Sequence, residues 1–96
     1  MKMVMMIVDS DHAKYIESMF ENCDVPGYSR IPDVLGKGTT GKKHGSRAFP
    51  GSSTLYFAAL EEHCMEPLQQ RLKALRDARG PEEGLKAFVL DTEELI

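Results

Sequence analysis

Val34-Leu35-Gly36-Lys37-Gly38-Thr39-Thr40-Gly41-Lys42-Lys43-His44-Gly45-Ser46-Arg47-Ala48-Phe49-Pro50-Gly51 divides this chain into two comparable halves. The stretch holds five of the eight glycines and no carboxylate. Segments this rich in glycine and poor in apolar residues do not build a core and are carried as loops by neighbouring elements. The residues on either side must therefore supply that carrier, and the stretch is the connection between them.

On the N-terminal side, Met3 to Val8 is apolar at both alternating sets of positions, the pattern of a central strand covered on both faces. Asp9-Ser10-Asp11 supplies N-cap chemistry for a helix from about His12 to Cys23. Ile16, Met19, Phe20 and Cys23 form its apolar stripe, with Lys14, Glu17 and Glu21 expected toward water, and Pro26-Gly27 stops it. Tyr28 to Leu35 has strand content, but Pro32 lacks a ladder donor and confines the segment to an edge or a bulge.

On the C-terminal side, Ser53 to Leu60 is the clearest strand. Pro67 suits a first helical position, Leu68, Leu72 and Leu75 make a stripe, and Gly80-Pro81 ends that helix. Leu85 to Leu90 is a last strand and Asp91 to Ile96 a tail. The order strand, helix, strand, loop, strand, helix, strand predicts an α+β, ferredoxin-like βαββαβ sandwich: a four-stranded antiparallel sheet with two helices on one face. The opposite face is left open, yet the first and third strands are apolar on both sides. A second copy of the chain is the expected cover, hence a homo-oligomer.

Ninety-six residues make one domain, 1–96, with the glycine-rich loop at 36–53. A hydrophobic fraction of 42% with 28% charged residues is that of a globular protein, and no run approaches the roughly 20 apolar residues of a bilayer helix. Met1 to Val8 leads into Asp9-Ser10-Asp11 without a cleavage pattern, so a cytoplasmic protein that is not an integral membrane protein is expected, with Cys23 and Cys64 reduced. The net charge of -3 argues against a nucleic-acid partner. Positive charge is nevertheless concentrated: Arg30, Lys37, Lys42, Lys43 and Arg47 stand against Asp33 alone, which suggests a local anion site.

Gly36 to Gly41 matches G-x-G-x-x-G, but Lys-Lys-His-Gly-Ser-Arg follows where a dinucleotide fold needs a helix. Gly36 to Lys43 also approaches a P-loop, with Lys43 in place of the magnesium-binding Ser or Thr. What remains is physical: glycines admit an anion close to backbone N–H groups and lysines neutralise it. His63-Cys64-Met65 sets soft ligands side by side without a recognised metal spacing, so a metal site there would have to form across subunits. No nucleophile constellation occurs, the C-terminal carboxylates read as a solvated surface, and an enzyme is not expected.

The chain resembles the PII signal-transduction family and its PII-like relatives. Val34-Leu35-Gly36-Lys37-Gly38 is similar to the apolar-x-Gly-x-Gly at the base of that family's T-loop, and the βαββαβ order is shared. Lys86-Ala87-Phe88-Val89-Leu90, followed by Asp91-Thr92-Glu93-Glu94-Leu95-Ile96, resembles its Lys-Ile-Phe-Val strand and the acidic turn after it. The resemblance implies a homotrimer with sheets facing inward. It also implies an adenine nucleotide (ATP, ADP or AMP) or another small anion as effector, bound where the T-loop base of one subunit meets the loop before the last strand of another.

Carried over by position, Gly36, Gly38 and Lys86 match, and Lys37, Lys42, Lys43 and Arg47 are the further ligand-binding candidates. The family's Arg and Gln after Gly-x-Gly are Thr39 and Thr40 here, its Gly-Asp-Gly-Lys turn reads Glu83-Gly84-Leu85-Lys86, and the loop has no tyrosine to modify. The expected function is that of a divergent PII-like sensor signalling through its loop to a regulated transporter or enzyme. A metal-handling trimer of the ion-tolerance type, using His63, Cys64 and Met65, is the alternative, and an ACT-like effector domain shares the topology.

Overall fold

A computed structural model describes residues 1–38, 41–43, 52–79 and 84–96. Eight elements are present among them: β1 (Lys2–Asp9), α1 (Ala13–Asn22, preceded by a 3-10 turn at Ser10–His12), β2 (Ser29–Val34), β3 (Gly36–Gly38), β4 (Gly41–Lys43), β5 (Ser53–Leu60), α2 (Glu62–Arg79) and β6 (Leu85–Asp91). Four strands form one sheet in the order β2-β5-β1-β6, antiparallel at every junction. This is the arrangement that two interleaved βαβ units produce.

The period-2 pattern of β1 and β5 decides which face holds the core. Val4, Met6 and Val8 of β1 and Tyr56, Ala58 and Leu60 of β5 are buried together with Ile16, Phe20 and Cys23 from the first helix region and Cys64 and Leu68 from α2. Both helices therefore lie on one face, as the strand pattern predicts. The alternate residues cover the other face in rows set by the register: Ile31-Leu55-Ile7-Lys86, then Ser29-Phe57-Met5-Phe88, then Ala59-Met3-Leu90. None of these is buried in the isolated chain, and Ile31, Ile7 and Phe88 are 46%, 37% and 50% exposed. So β1 is covered on one side only within a single copy.

Pro32 acts as its chemistry requires. β2 is an edge strand, its register to β5 shifts between Ile31 and Val34, and Asp33 inside that bulge sits at φ 58°. Three expectations are corrected. The helix read as starting at Pro67 starts five residues earlier, at Glu62, because Cys64 and Leu68 at i and i+4 both enter the core and carry the first turns with them. The glycine-rich segment is not loop throughout: β3 and β4 form a ribbon pairing Gly36 with Lys43, Lys37 with Lys42 and Gly38 with Gly41. Glu17, expected in water, is a hydrogen-bonding hub at the edge of the core. The expected helix stop at Gly80-Pro81 lies outside the described residues.

Candidate functional site

One end of the sheet collects most of the candidate binding residues. Val34 of β2 pairs with Ser53 of β5, Ser53 with Asp9 of β1, and the Asp9 amide donates to the Gly84 carbonyl at 3.1 Å, so Val34, Ser53, Asp9 and Gly84 form a line across the end. The β3-β4 ribbon leaves from the β2 side of this line, carrying Gly36, Lys37, Gly38, Lys42 and Lys43. Lys37 and Lys42 are register partners in the ribbon. Gly36 has open space where a Cβ would stand, so steric crowding is not the reason for glycine there.

Lys86 lies on the other edge. It is exposed, opposite Ile7, in the row of the uncovered face nearest the line described above. Between β2 and β6 stand β5 and β1, so these edges are three inter-strand spacings apart, about 14 Å. The structure thus brings Gly36, Lys37, Gly38, Lys42, Lys43 and Lys86 to one end of the sheet but keeps the ribbon and Lys86 on opposite edges. Arg47 lies outside the described residues.

A set of hydroxyls that the sequence reading passed over joins the line from beneath. The Ser10 side-chain oxygen is 2.9 Å from Ser52 Oγ and 3.0 Å from Thr54 Oγ1, and the Ser10 amide donates to the Ser52 carbonyl at 3.0 Å. Asp9 Oδ1 accepts from the Asp11 amide at 3.1 Å and caps the 3-10 turn. Ser52-Ser53-Thr54 is visible in the sequence as a hydroxyl run, but nothing local shows that Ser10 meets it.

At the far end of the sheet, Lys2 donates a hydrogen bond to Asp91 Oδ1, with Glu62 3.8 Å from the same ammonium group. That bond raises the lysine pKa and lowers that of Asp91. This pair ties the ends of β1 and β6 together.

Of the alternative metal site, His63 and Cys64 touch each other but gather no third ligand of the His, Cys, Asp or Glu kind among the described residues. Cys64 is buried, with Sγ 3.5 Å from His63 Nε2 and 3.7 Å from the Asp24 carbonyl, whereas His63 is exposed and Met65 packs against the core. Among the described residues no group of three or more His, Cys, Asp and Glu side chains is arranged to hold a metal ion. Nor is any helix among them long and apolar enough to cross a membrane.

No protein-family model matches the sequence, and no curated protein matches it. Solved structures do. The nitrogen regulatory PII-like protein CPII from Thiomonas intermedia K12, in a structure bound to ADP, AMP and bicarbonate, superposes with a TM-score of 0.78 at 21% identity over 93% of this chain and 82% of that one. Its apo form gives 0.70 at 18% identity over 93% and 85%. A protein of Thermus thermophilus assigned to the PII-like signalling proteins gives 0.65 at 18% identity over 93% and 82%. The two helices on one side of a β2-β5-β1-β6 sheet, with a glycine-based ribbon rising between β2 and β5, give this chain the fold of the PII-like proteins.

Proposed function

We propose that the chain is a PII-like regulator that binds an adenine nucleotide or another small anion in clefts between three copies of itself. The glycine-rich segment signals occupancy to a partner protein, a transporter or an enzyme. The observation that carries this reading is the separation of the ribbon from Lys86. If both grip one phosphate group, taking the backbone of Gly36 to Gly38 from one copy and the ammonium of Lys86 from another spares the ligand from spanning the two strands that stand between them in a single chain. They can come from neighbouring copies whose uncovered faces meet.

The uncovered face supplies the reason for such copies to associate. Ile31, Leu55, Ile7, Phe57, Met5, Phe88, Met3 and Leu90 form a continuous apolar surface on a sheet whose other side is already packed. Burying apolar area contributes about 25 cal/mol per Å2, so this face favours association. Assembly then sets a lysine beside each ribbon at the margin of a dry interface, where charge attracts charge more strongly than in bulk water. The ligands of the CPII structures, ADP, AMP and bicarbonate, are of the class this arrangement suits. Ligand contacts at the ribbon would bias the glycine-rich segment between arrangements, which is how a binder without catalytic groups reports its state. A cytoplasmic, non-enzymatic role follows from the same reading.

Two measurements test it together. Sedimentation at micromolar concentration should give three times the chain mass; a monomer overturns the cleft. Calorimetry with AMP, ADP, ATP, cyclic AMP and bicarbonate should give heat and a saturable isotherm for at least one. Silence from all five removes the nucleotide and bicarbonate reading while leaving the trimer standing.

A further inference from the structure

Helix α1 presents two stripes, and one of them does not face the sheet. Ile16 and Phe20 enter the core, whereas Tyr15, Ser18, Met19 and Asn22, at i, i+3, i+4 and i+7, line a groove shared with Arg71 and Leu75 of α2. The groove is about 390 Å3 and open to solvent. Met19 and Leu75 pack against the core and give it an apolar base, and the Tyr15 side of it is 53% exposed. Ser18, Asn22 and Arg71 are exposed, and their side chains make no hydrogen bond or ion pair among the described residues. No carboxylate lines the groove, and residues 69–79 of α2 carry four cations against Asp77 alone, on a chain of net charge -3. A ligand suited to it joins aliphatic bulk to negative charge.

One segment of the chain has that chemistry. Residues 93–96 read Glu-Glu-Leu-Ile, and Leu95 and Ile96 are 95% and 103% exposed. Thr92 is still held, its amide donating to the Met1 carbonyl at 3.4 Å and its hydroxyl to the Leu90 carbonyl at 3.2 Å. Beyond it, Glu93 and Glu94 are exposed and make no ion pair among the described residues. Two aliphatic side chains stand fully in water beside two carboxylates that lack a counter-charge, so burying the first pair against an apolar surface and setting the second beside a cation are both favourable.

We infer that residues 93–96 of one copy dock in the α1-α2 groove of a second copy, with Leu95 and Ile96 against Met19, Leu75 and Tyr15 and the glutamates at Arg71. The chain's own groove is out of reach. Asp91 is bonded to Lys2, whose ammonium is 3.8 Å from Glu62, so the segment departs beside the first residue of α2, and Arg71 lies about 14 Å further along the helix axis. Four residues beyond Thr92 span at most about 14 Å, which leaves no length to cross the helix to its α1 side. A second copy has no such limit. The groove is on the helical side of the molecule, so this contact joins copies by a route separate from the uncovered sheet face and independent of any nucleotide.

Isotope-filtered NOE spectroscopy tests this on ligand-free protein, with isotope-labelled and unlabelled copies refolded together from urea so that they mix at random. NOEs should run from the Leu95 and Ile96 methyls of unlabelled copies to the Met19 and Leu75 methyls of labelled ones. Arg71→Glu should abolish them while leaving the circular dichroism unchanged, because Arg71 is exposed and its side chain holds no other residue among those described. Adding Glu93→Lys and Glu94→Lys to that variant should bring them back, since the charges are then exchanged and the aliphatic contacts kept. Absence of these NOEs in the wild type overturns the inference, as do contacts confined to a single chain or contacts of Leu95 and Ile96 with the uncovered sheet face instead. Persistence of the NOEs in Arg71→Glu overturns the charge pairing that selects this occupant. Sedimentation and calorimetry judge the trimer and the effector separately, so neither result stands in for this one.

Discussion

Tyr56 donates a 2.7 Å hydrogen bond to Glu17 across the boundary between sheet and helix, from a position 39 residues further along the chain. The same carboxylate accepts from the Tyr28 hydroxyl at 2.9 Å on Oε1 and from Arg30 Nη1 at 3.0 Å on Oε2, so α1, β2 and β5 meet at one side chain. The rings of Tyr28, Tyr56 and Phe20 pack around it with centroids 4.9 to 5.7 Å apart. The Tyr56 ring is fully buried, and its hydroxyl has the Ala13 carbonyl at 3.3 Å as a second acceptor.

These contacts set a pH dependence. The Tyr56 hydrogen bond, helped by Tyr28 and Arg30 and opposed by burial, holds the Glu17 carboxyl below its ordinary value of 4.5. A carboxylate depressed in the folded state contributes stability that is present above the unfolded value and lost as pH falls through the lowered one. Glu17→Gln should therefore be less stable than the wild type at pH 7 by about 1 kcal/mol, the net worth of one ordinary hydrogen bond. The two proteins should converge as pH falls through the lowered Glu17 value. Urea melts across pH 3 to 8 check this, and parallel curves over the whole range refute it.

Alkaline behaviour has the opposite sign. Burial first, and the Glu17 hydrogen bond second, push the Tyr56 phenol well above its ordinary value of 10.0. Its contribution is then complete below pH 10 and is lost only as pH rises through the raised value. Ultraviolet titration should find Tyr56 still protonated at pH 10.5, and Tyr56→Phe should remove that late-titrating component while costing about 1 kcal/mol.

Much of the fold could be read from local pattern, and this hub could not. Sequence period places Glu17 on the outer side of α1, and helical phase alone sends it to water. Its partners lie 11, 13 and 39 residues away, a relationship that only the sheet order creates. The same holds for Ser10 and Ser52, 42 residues apart. In contrast, the apolar alternation of β5, the stripe of Ile16 and Phe20 and the demotion of β2 by Pro32 are decided within a few residues of themselves. The start of α2 lay between these cases. Cys64, Leu68, Leu72 and Leu75 continue one helical stripe through Pro67, but the preference of proline for a first helical position points to a later start. The β3-β4 ribbon carries no local strand signal, because glycine and lysine are poor strand formers.

Asp33 offers a test of backbone strain inside the β2 bulge. At φ 58° a residue with a Cβ is held in the left-handed region, which aspartate tolerates better than most. Asp33→Gly should be neutral or stabilising by up to about 0.5 kcal/mol, and Asp33→Val destabilising by about 1 to 2 kcal/mol. Thermal melts of the pair check this, and a harmless valine would mean that the bulge relaxes freely.

The uncovered face can be probed without touching the core. Phe88 is half-exposed in a single chain, opposite Met5, so on the proposed trimeric reading Phe88→Asp should leave the circular dichroism of the fold unchanged while shifting light-scattering mass from trimer to monomer at about 10 μM. Leu68→Ala on the opposite side is the control. Leu68 is 2% exposed and packed in the core, and its loss should cost about 2 to 5 kcal/mol in unfolding without changing subunit number at low temperature. Identical behaviour of the two variants would show that assembly and folding are a single event.

Charge reversal at Lys86 addresses the cleft itself. Lys86 is exposed on an edge strand of the single chain, so Lys86→Glu removes no packing within that chain and should leave the melting temperature close to that of the wild type. If the ammonium meets a phosphate of the ligand, losing a charge-assisted hydrogen bond weakens ADP by about tenfold or more. The loss should shrink as salt rises, because screening weakens the attraction in the wild type and the repulsion in the variant alike. Lys86→Gln should fall between the two, since it keeps a donor but not the charge. The decisive comparison is between ligands: a lysine reading phosphate affects ADP and AMP but leaves adenosine unmoved. Equal weakening of all three would place Lys86 beside the base or the sugar, not the phosphate.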